Sequence, residues 1–273
     1  MQKISRITVQ KKNKNRYNIF LEKDKNEVYG FSVQEDTLIA ERLQKGMELE
    51  DTTIDSLLAK DTIHKGYSLG LNFLSYRMRS VNEMEQYLKK KEIDEEHISI
   101  IIKRLSNEKW LDDAVFAEAY VRTKVLTTSK GPLIIKKELL EKRVAVDKAE
   151  AALVHYPAEA QLEKVIKFIE KSARKSAKQS FFQQQNKLKQ NLMQKGFPQA
   201  IIQEAFNQAT QEKDQEQEWD AVVFQGEKLL RRHASKLEKR ELKQKVKGAL
   251  YQKGFSLDEI EKFIESYIEQ AEE

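Results

Sequence analysis

Histidine is the side chain best suited to acid–base or metal chemistry near neutral pH, and this chain has four: His64, His97, His155 and His233. They stand far apart, and none has a second histidine or a carboxylate at clear metal-ligand spacing. Glu95 and Glu96 lie near His97, but adjacent residues on a helix point in different directions. Asp112-Asp113 opens a helix, and capping and the helix dipole account for it better than a metal does. There is no glycine-rich phosphate loop, no HExxH and no GxSxG. Cysteine is absent, which excludes disulfides, thiolate metal sites and cysteine nucleophiles. The pattern points to a protein that is not an enzyme and needs no cofactor or metal. A nuclease or similar hydrolase has no residue constellation behind it.

The chemistry that remains is electrostatic. The net charge over 273 residues is +5, but its distribution is uneven. Residues 167–195 hold eight Lys/Arg against one acid, Glu170, and residues 228–247 hold nine against two, Glu238 and Glu241. Residues 258–273 reverse this, with seven acids against Lys262. Such a stripe suits a polyanion or an acidic protein groove, although charge runs also serve simply as solvated helix faces. Phe181-Phe182 lies inside the first basic run and Tyr251 follows the second. Single-strand binders pair cations with aromatic platforms, but Phe181 and Phe182 read more readily as helix anchors. No DNA-reading motif is evident, so any nucleic-acid contact is expected to be sequence-independent and salt-sensitive.

The elements that must position these charges form a repeat. A phrase recurs as Leu88-Lys-Lys-Lys-Glu-Ile93, Leu139-Leu-Glu-Lys-Arg-Val144, Leu192-Met-Gln-Lys-Gly-Phe197 and Leu250-Tyr-Gln-Lys-Gly-Phe255. A near-constant period marks a repeat protein, which presents an extended surface to a partner. Met84/Leu88, Ile135/Leu139, Leu188/Leu192 and Val246/Leu250 correspond, at helical spacing. Ser80-Val-Asn-Glu83 and Ser256-Leu-Asp-Glu259 are capping boxes, and Pro132 and Pro198 fit helix first turns. Helices are expected at 71–77, after Ser80, after Asp94, and then at 114–127, 158–175 and 218–234 as the first helices of later units. The expected fold is mainly α: an elongated array of three-helix repeats at 71–111, 112–155, 158–210 and 216–271. The third and fourth are rich in Gln and Lys, so looser packing is expected there.

Residues 1–70 do not follow the repeat. Three β-branched runs, 4–9, 16–21 and 28–33, read as an antiparallel meander with turns at 12–15 and 24–26. Asp36 is expected to cap a short helix through Gln44, with Gly46 beyond its end and a further strand at 47–49. A helix over 53–64 then leads into the repeats. Nine Gly and three Pro in the whole chain agree with long helices. Met1–Gln10 holds no apolar run of signal-peptide length, and no stretch approaches the ~20 apolar residues of a membrane span. A cytoplasmic protein without membrane contact is expected.

Leu74-Ser-Tyr-Arg-Met-Arg-Ser80 with Glu83 and Leu88-Lys-Lys-Lys91 resembles the opening motif of the RecX recombination regulators. So do Trp110-Leu-Asp-Asp113, Phe116-Ala117, Tyr120-Val-Arg122 and Gly131-Pro132 with Lys137-Glu-Leu139. Glu92 and Arg143 stand where that family usually has Gly, and Met78 where Pro is common. The β segment is similar to the extension of the family's longer members. The resemblance implies a monomer that binds the RecA recombinase filament and inhibits its ATP hydrolysis, strand exchange and co-protease activity. On that reading, together with the extended repeat form, the contacts to acidic RecA surface or filament DNA are expected from the basic residues Arg77, Arg79, Lys89, Lys90, Arg122, Lys130, Lys136, Lys137, Arg174, Lys175, Lys178, Lys187, Arg231, Arg232, Lys239 and Arg240. The alternative is a sequence-independent binder of single- or double-stranded DNA that acts on recombination indirectly.

Overall fold

The computed structural model describes residues 1–24, 26–173, 178–209 and 213–269. The chain divides into two compact units, 1–120 with 138–152, and 121–137 with 153–273. The first begins with strands β1 (Gln2–Val9), β2 (Arg16–Lys23) and β3 (Asn26–Gln34), joined by β4 (Glu48–Leu49) in the order β3-β2-β1-β4. All pairings are antiparallel. Ile4, Ile19, Leu21, Phe31 and Val33 alternate onto one face and pack with Leu43, Leu49 and Leu57. The alternation of β-branched and aromatic residues therefore gives a half-covered sheet, as expected of an antiparallel meander.

Helix α1 (Glu35–Ala40) is shorter than expected. Its N-cap is Gln34, so Asp36 lies inside the first turn rather than capping it. It stops before Gln44 because Arg42 adopts a left-handed conformation (φ +50°), and the Leu43 N–H bonds back to Leu38 O at 3.0 Å. Gly46 (φ +91°) belongs to the turn before β4. The helices expected at 53–64 and 71–77 are one, α2 (Asp51–Tyr76). Gly66 and Gly70 do not break it, because Ile101 and Leu105 side chains fill the space where their side chains would be. Buried Asp61 ties this helix to the sheet. Its carboxylate accepts from Arg16 Nη2 (3.0 Å), Gln34 N (2.5 Å) and Thr37 Oγ1 (3.3 Å).

The helical remainder runs α3 (Val81–Lys89), α4 (Glu95–Asn107), α5 (Asp113–Thr127), α6 (Pro132–Glu141) and α7 (Val146–Ala152). After a 3-10 turn at Leu153–His155 come α8 (Ala158–Ala173), α9 (Phe181–Gln194), α10 (Gln199–Gln208), α11 (Gln215–His233), α12 (Lys239–Gln252) and α13 (Leu257–Ile264). A π-helical turn, Glu265–Glu269, follows. Both capping boxes are formed. Pro132 opens α6, whereas Pro198 is the N-cap of α10, one residue earlier than the first turn. Met84, Leu88, Ile98, Ile101 and Leu105 make one core, and Ala221, Val222, Val246, Leu250, Phe255, Ile260 and Phe263 make another. The fourth repeat, expected to pack loosely, thus has a contiguous core of its own. Leu188 alone of the matched apolar positions is only half-buried.

The recurring phrase is a helix stop. Its fifth residue is left-handed in every copy: Glu92 (φ +59°), Arg143 (+58°), Gly196 (+84°) and Gly254 (+82°). The N–H of the sixth then bonds to the carbonyl of the first: Ile93 to Leu88 (3.4 Å), Val144 to Leu139 (3.1 Å), Phe197 to Leu192 (3.1 Å) and Phe255 to Leu250 (3.4 Å). This is the Schellman arrangement, with its apolar contact between the first and sixth residues. All eight of those side chains are buried.

The last three stops also join neighbouring repeats. Ser80 Oγ accepts from Glu83 N and donates to the carbonyl of Lys142, just before Arg143 (3.1 Å each). Ser180 Oγ likewise accepts from Gln183 N and donates to Lys253 O. Between these, Gly131 N itself donates to Lys195 O (2.7 Å). A side chain at Gly131 would lie 2.4 Å from the Gly196 backbone, so only glycine allows this approach. The first N–H of α3, on Val81, is satisfied by Asp113 (2.9 Å), and that of α9, on Phe181, by Glu218 (2.8 Å). Helix α6 begins with Pro132, which has no N–H to satisfy.

Two stability predictions follow from this geometry. Glu92→Gly and Arg143→Gly should each raise unfolding free energy by about 0.5–1 kcal/mol, since a left-handed non-glycine costs ~1–2 and glycine's extra chain entropy offsets part. Denaturant titration measures this, and a loss of stability in both would contradict it. Leu139→Ala, at a fully buried position, should cost about 2–5 kcal/mol.

Candidate interaction surface

The expected contact residues Arg77 and Arg79 meet at the first joint. Glu83 is its hub. Its carboxylate accepts from Arg77 Nη1 (3.2 Å) and Nη2 (3.1 Å), from Ser80 N (3.3 Å) and from Lys142 Nζ (2.7 Å). Burial opposes ionisation of Glu83, but the hydrogen bonds from Arg77 and Lys142 outweigh it and hold the carboxyl at about 2. Arg79 lays its guanidinium over the Phe73 ring at 3.9 Å, and Phe73 stacks on Tyr87 at 4.1 Å. Burial, then the nearby Arg77 charge, lowers the Arg79 pKa. Arg79 also lines a cleft with Met78, Lys109, Trp110, Asp112 and Val115. Trp110 is 60% exposed there. A cleft of two cations, one acid and an exposed indole suits protein contact, because Trp and Arg are the side chains that most often anchor interfaces.

The other expected contacts are dispersed. Lys89 is exposed and pairs with Glu95 at 2.6 Å; Lys90 is exposed beside it. Arg122 Nη2 lies 3.2 Å from His155 Nε2. Lys130 and Lys136 are half-buried, and Lys137 is exposed. Lys178 sits over the Phe224 ring at 5.1 Å, and Lys187 is exposed. Arg231 pairs with Glu227 at 2.9 Å; Arg232, Lys239 and Arg240 are exposed around it in sequence. Arg174 and Lys175 lie outside the described residues. Phe182 lies against Gly254 at the third joint while remaining 57% exposed, and Phe181 is half-buried.

Sequence reasoning missed the lysines of the joints. Lysine occupies the fourth position of all four phrases: Lys91, Lys142, Lys195 and Lys253. That recurrence was the available signal. A cation at a helix end complements the dipole, and two of these lysines also reach across to the preceding repeat. Lys142 binds Glu83, and Lys195 Nζ bonds Ser129 Oγ at 2.9 Å. Lys164, likewise overlooked, donates to the carbonyls of Val125 and Thr128 at the end of α5, and burial lowers its pKa. Among the described residues, no group of three or more His, Asp or Glu is placed to hold a metal, and no helix is long and apolar enough to cross a membrane.

Sheet, capped three-helix units and shared joints define a tandem helical-repeat protein with an N-terminal β domain. Its segments match family models in chain order. Residues 2–50 match the "Regulatory protein RecX N-terminal domain", 67–105 the first RecX three-helix domain and 112–153 the second. The third three-helix model matches twice, at 159–206 and 215–264. A curated relative from Oceanobacillus iheyensis, "Regulatory protein RecX", is 51% identical over 270 residues, covering 98% of this chain and 99% of that one. Another, from Halalkalibacterium halodurans, is 44% identical and covers 96% and 98%. A crystal structure of regulatory protein RecX superposes with a TM-score of 0.66 at 35% identity, over 76% of this chain and all of the other. RecX from Lactobacillus salivarius gives 0.53 at 39%, over 55% and 97%. The chain belongs to the RecX family of regulatory proteins.

Glu83 makes a pH prediction. Its carboxyl is held below its ordinary 4.5, at about 2, in the folded state. A depressed folded value stabilises above the unfolded pKa and is lost as pH falls toward the folded one. Stability of the wild type should therefore fall between pH 4.5 and about 2 more steeply than that of Glu83→Gln. Parallel acid limbs in urea titrations would contradict the joint's electrostatics.

Proposed function

We propose that this chain binds the filament of the RecA recombinase and restrains its ATP hydrolysis, strand exchange and co-protease activity. The observation that carries the reading is family membership along the length of the chain, with relatives bearing the name of a regulatory protein. The reading is of a non-enzyme, a cytoplasmic monomer built as four three-helix repeats, 71–111, 112–155, 158–210 and 216–271, behind the sheet. Its contacts are the basic residues named above, with the Arg79–Trp110 cleft added to them. Many weak contacts along a polymer raise one another's effective concentration, which suits a repeat protein. Arg232, Lys187 and Arg240 are exposed on the helix surfaces, and Arg231, though paired with Glu227, keeps 80% of its side chain exposed.

Single-strand-dependent ATP hydrolysis by RecA of the same organism, with the chain titrated in, tests the reading. Inhibition is expected, and it should weaken at least several-fold in an Arg231→Glu, Arg232→Glu, Lys239→Glu, Arg240→Glu variant. Inhibition at far less than one molecule per RecA would mean blocked growth; a near-stoichiometric requirement would mean occupancy along the filament. No inhibition by excess protein would overturn the proposal.

A further inference from the structure

The outer face of the N-terminal sheet carries a row of side chains that packing does not require. Ile4, Ile19, Leu21, Phe31 and Val33 face the core. On the opposite face, Arg6 and Tyr29 flank Phe20, one from each neighbouring strand. The Arg6 guanidinium carbon lies 4.4 Å from the Phe20 centroid, and the Tyr29 ring meets Phe20 edge-on at 6.0 Å. Tyr29 is 57% exposed.

Two irregularities in the backbone create this row. On β3 the pairing steps from Ile19↔Phe31 to Phe20↔Tyr29, so Gly30 is an extra residue. Without that bulge Tyr29 would oppose Leu21 and point into the core side. On β1 the pairing steps from Arg6↔Phe20 to Ile4↔Leu21, so Ser5 is extra. Both bulges sit at the level of Phe20, on either side of it. Bulges re-aim side chains, and they recur beside binding sites. Gly30 is also needed for space, since a side chain there would lie 2.5 Å from Leu21 Cδ1.

The surroundings are cationic. Residues 1–34 hold eight Lys/Arg against three acids, Glu22, Asp24 and Glu27. Lys11, Lys12 and Lys14 are exposed on the β1–β2 turn, and Lys3 on β1. Glu27 accepts from Arg6 Nη2 (2.6 Å) and Ser5 Oγ (3.0 Å), which fixes the Arg6 plane against Phe20. A propped, half-open aromatic ring on a sheet whose β1–β2 hairpin ends, a few residue pairs along, in a lysine-rich turn matches the two needs of a single strand: a face for a base and positive charge for its phosphates. Duplex DNA keeps its bases stacked inside and offers nothing to the ring.

We propose that the outer face of the N-terminal sheet is a docking platform for single-stranded nucleic acid, with a base stacked on Tyr29, Phe20 and Arg6 supporting that ring, and phosphates led along Lys11, Lys12 and Lys14. This goes beyond the reading of the repeats and needs no RecA.

The test is binding of the full chain to labelled oligothymidylate and to a duplex of the same length, by fluorescence anisotropy across salt. The expected results are preference for the single strand, a Kd raised about tenfold in Tyr29→Ala, and recovery in Tyr29→Phe. Lys11→Glu, Lys12→Glu, Lys14→Glu should make the plot of log K against log salt shallower by about 2. Tyr29 and the three lysines are exposed, so these variants keep the core intact, and circular dichroism confirms each is folded. Absence of single-strand binding at low salt, equal affinity for duplex, or unchanged affinity in folded Tyr29→Ala would each overturn the proposal.

Discussion

A single backbone carbonyl, repeated at Lys142, Lys195 and Lys253, is the group on which the helical part of the molecule depends. A helix end leaves carbonyls without partners, and a buried one left so costs roughly 1–3 kcal/mol. The left-handed residue after each of these lysines turns the chain and satisfies the carbonyls behind it. The lysine's own carbonyl is left over, and the preceding repeat supplies its donor. Serine supplies it twice and a glycine N–H once. The exception explains itself: without a serine hydroxyl, the backbone must come closer, and Gly131 lets it. The same economy governs the next donor along. Val81 and Phe181 need carboxylates from Asp113 and Glu218, while Pro132 needs none.

The joints also decide which charges a partner can use. Lys142 and Arg77 are spent on Glu83, and Lys195 on Ser129. Their cost to a partner would include breaking those bonds. Arg232, Lys187 and Arg240 lie exposed on the helix surfaces. Charge counting along the sequence weighs all of these equally; the structure does not.

Much of the fold is legible in the residues. The meander shows in its β-branched alternation, the capping boxes in Ser80/Glu83 and Ser256/Glu259, and the helix stops in the recurring phrase. The same five-residue interval also marks the left-handed stops at Arg42 and Lys109, between Leu38 and Leu43 and between Leu105 and Trp110. They passed unnoticed because no neighbouring copy draws attention to them. What sequence reading could not reach is non-local. The place of Gly66 and Gly70 inside α2 is explained by the close approach of Ile101 and Leu105, 35 residues further along the chain. The Ser80–Lys142 and Ser180–Lys253 bonds join residues 62 and 73 positions apart. The aim of Tyr29 depends on one extra residue in a strand, which shifts register without changing the hydrophobic pattern enough to announce itself.

Amide hydrogen exchange at Gly131 measures the shared carbonyl most directly. Its N–H precedes a helix, where an uncommitted amide would exchange like the exposed turn at Asn13. Bonded to Lys195 O at 2.7 Å, it should instead be protected to the level of Ile202 in the buried face of α10. Exchange at the rate of the exposed turn would contradict the account of how neighbouring repeats are joined.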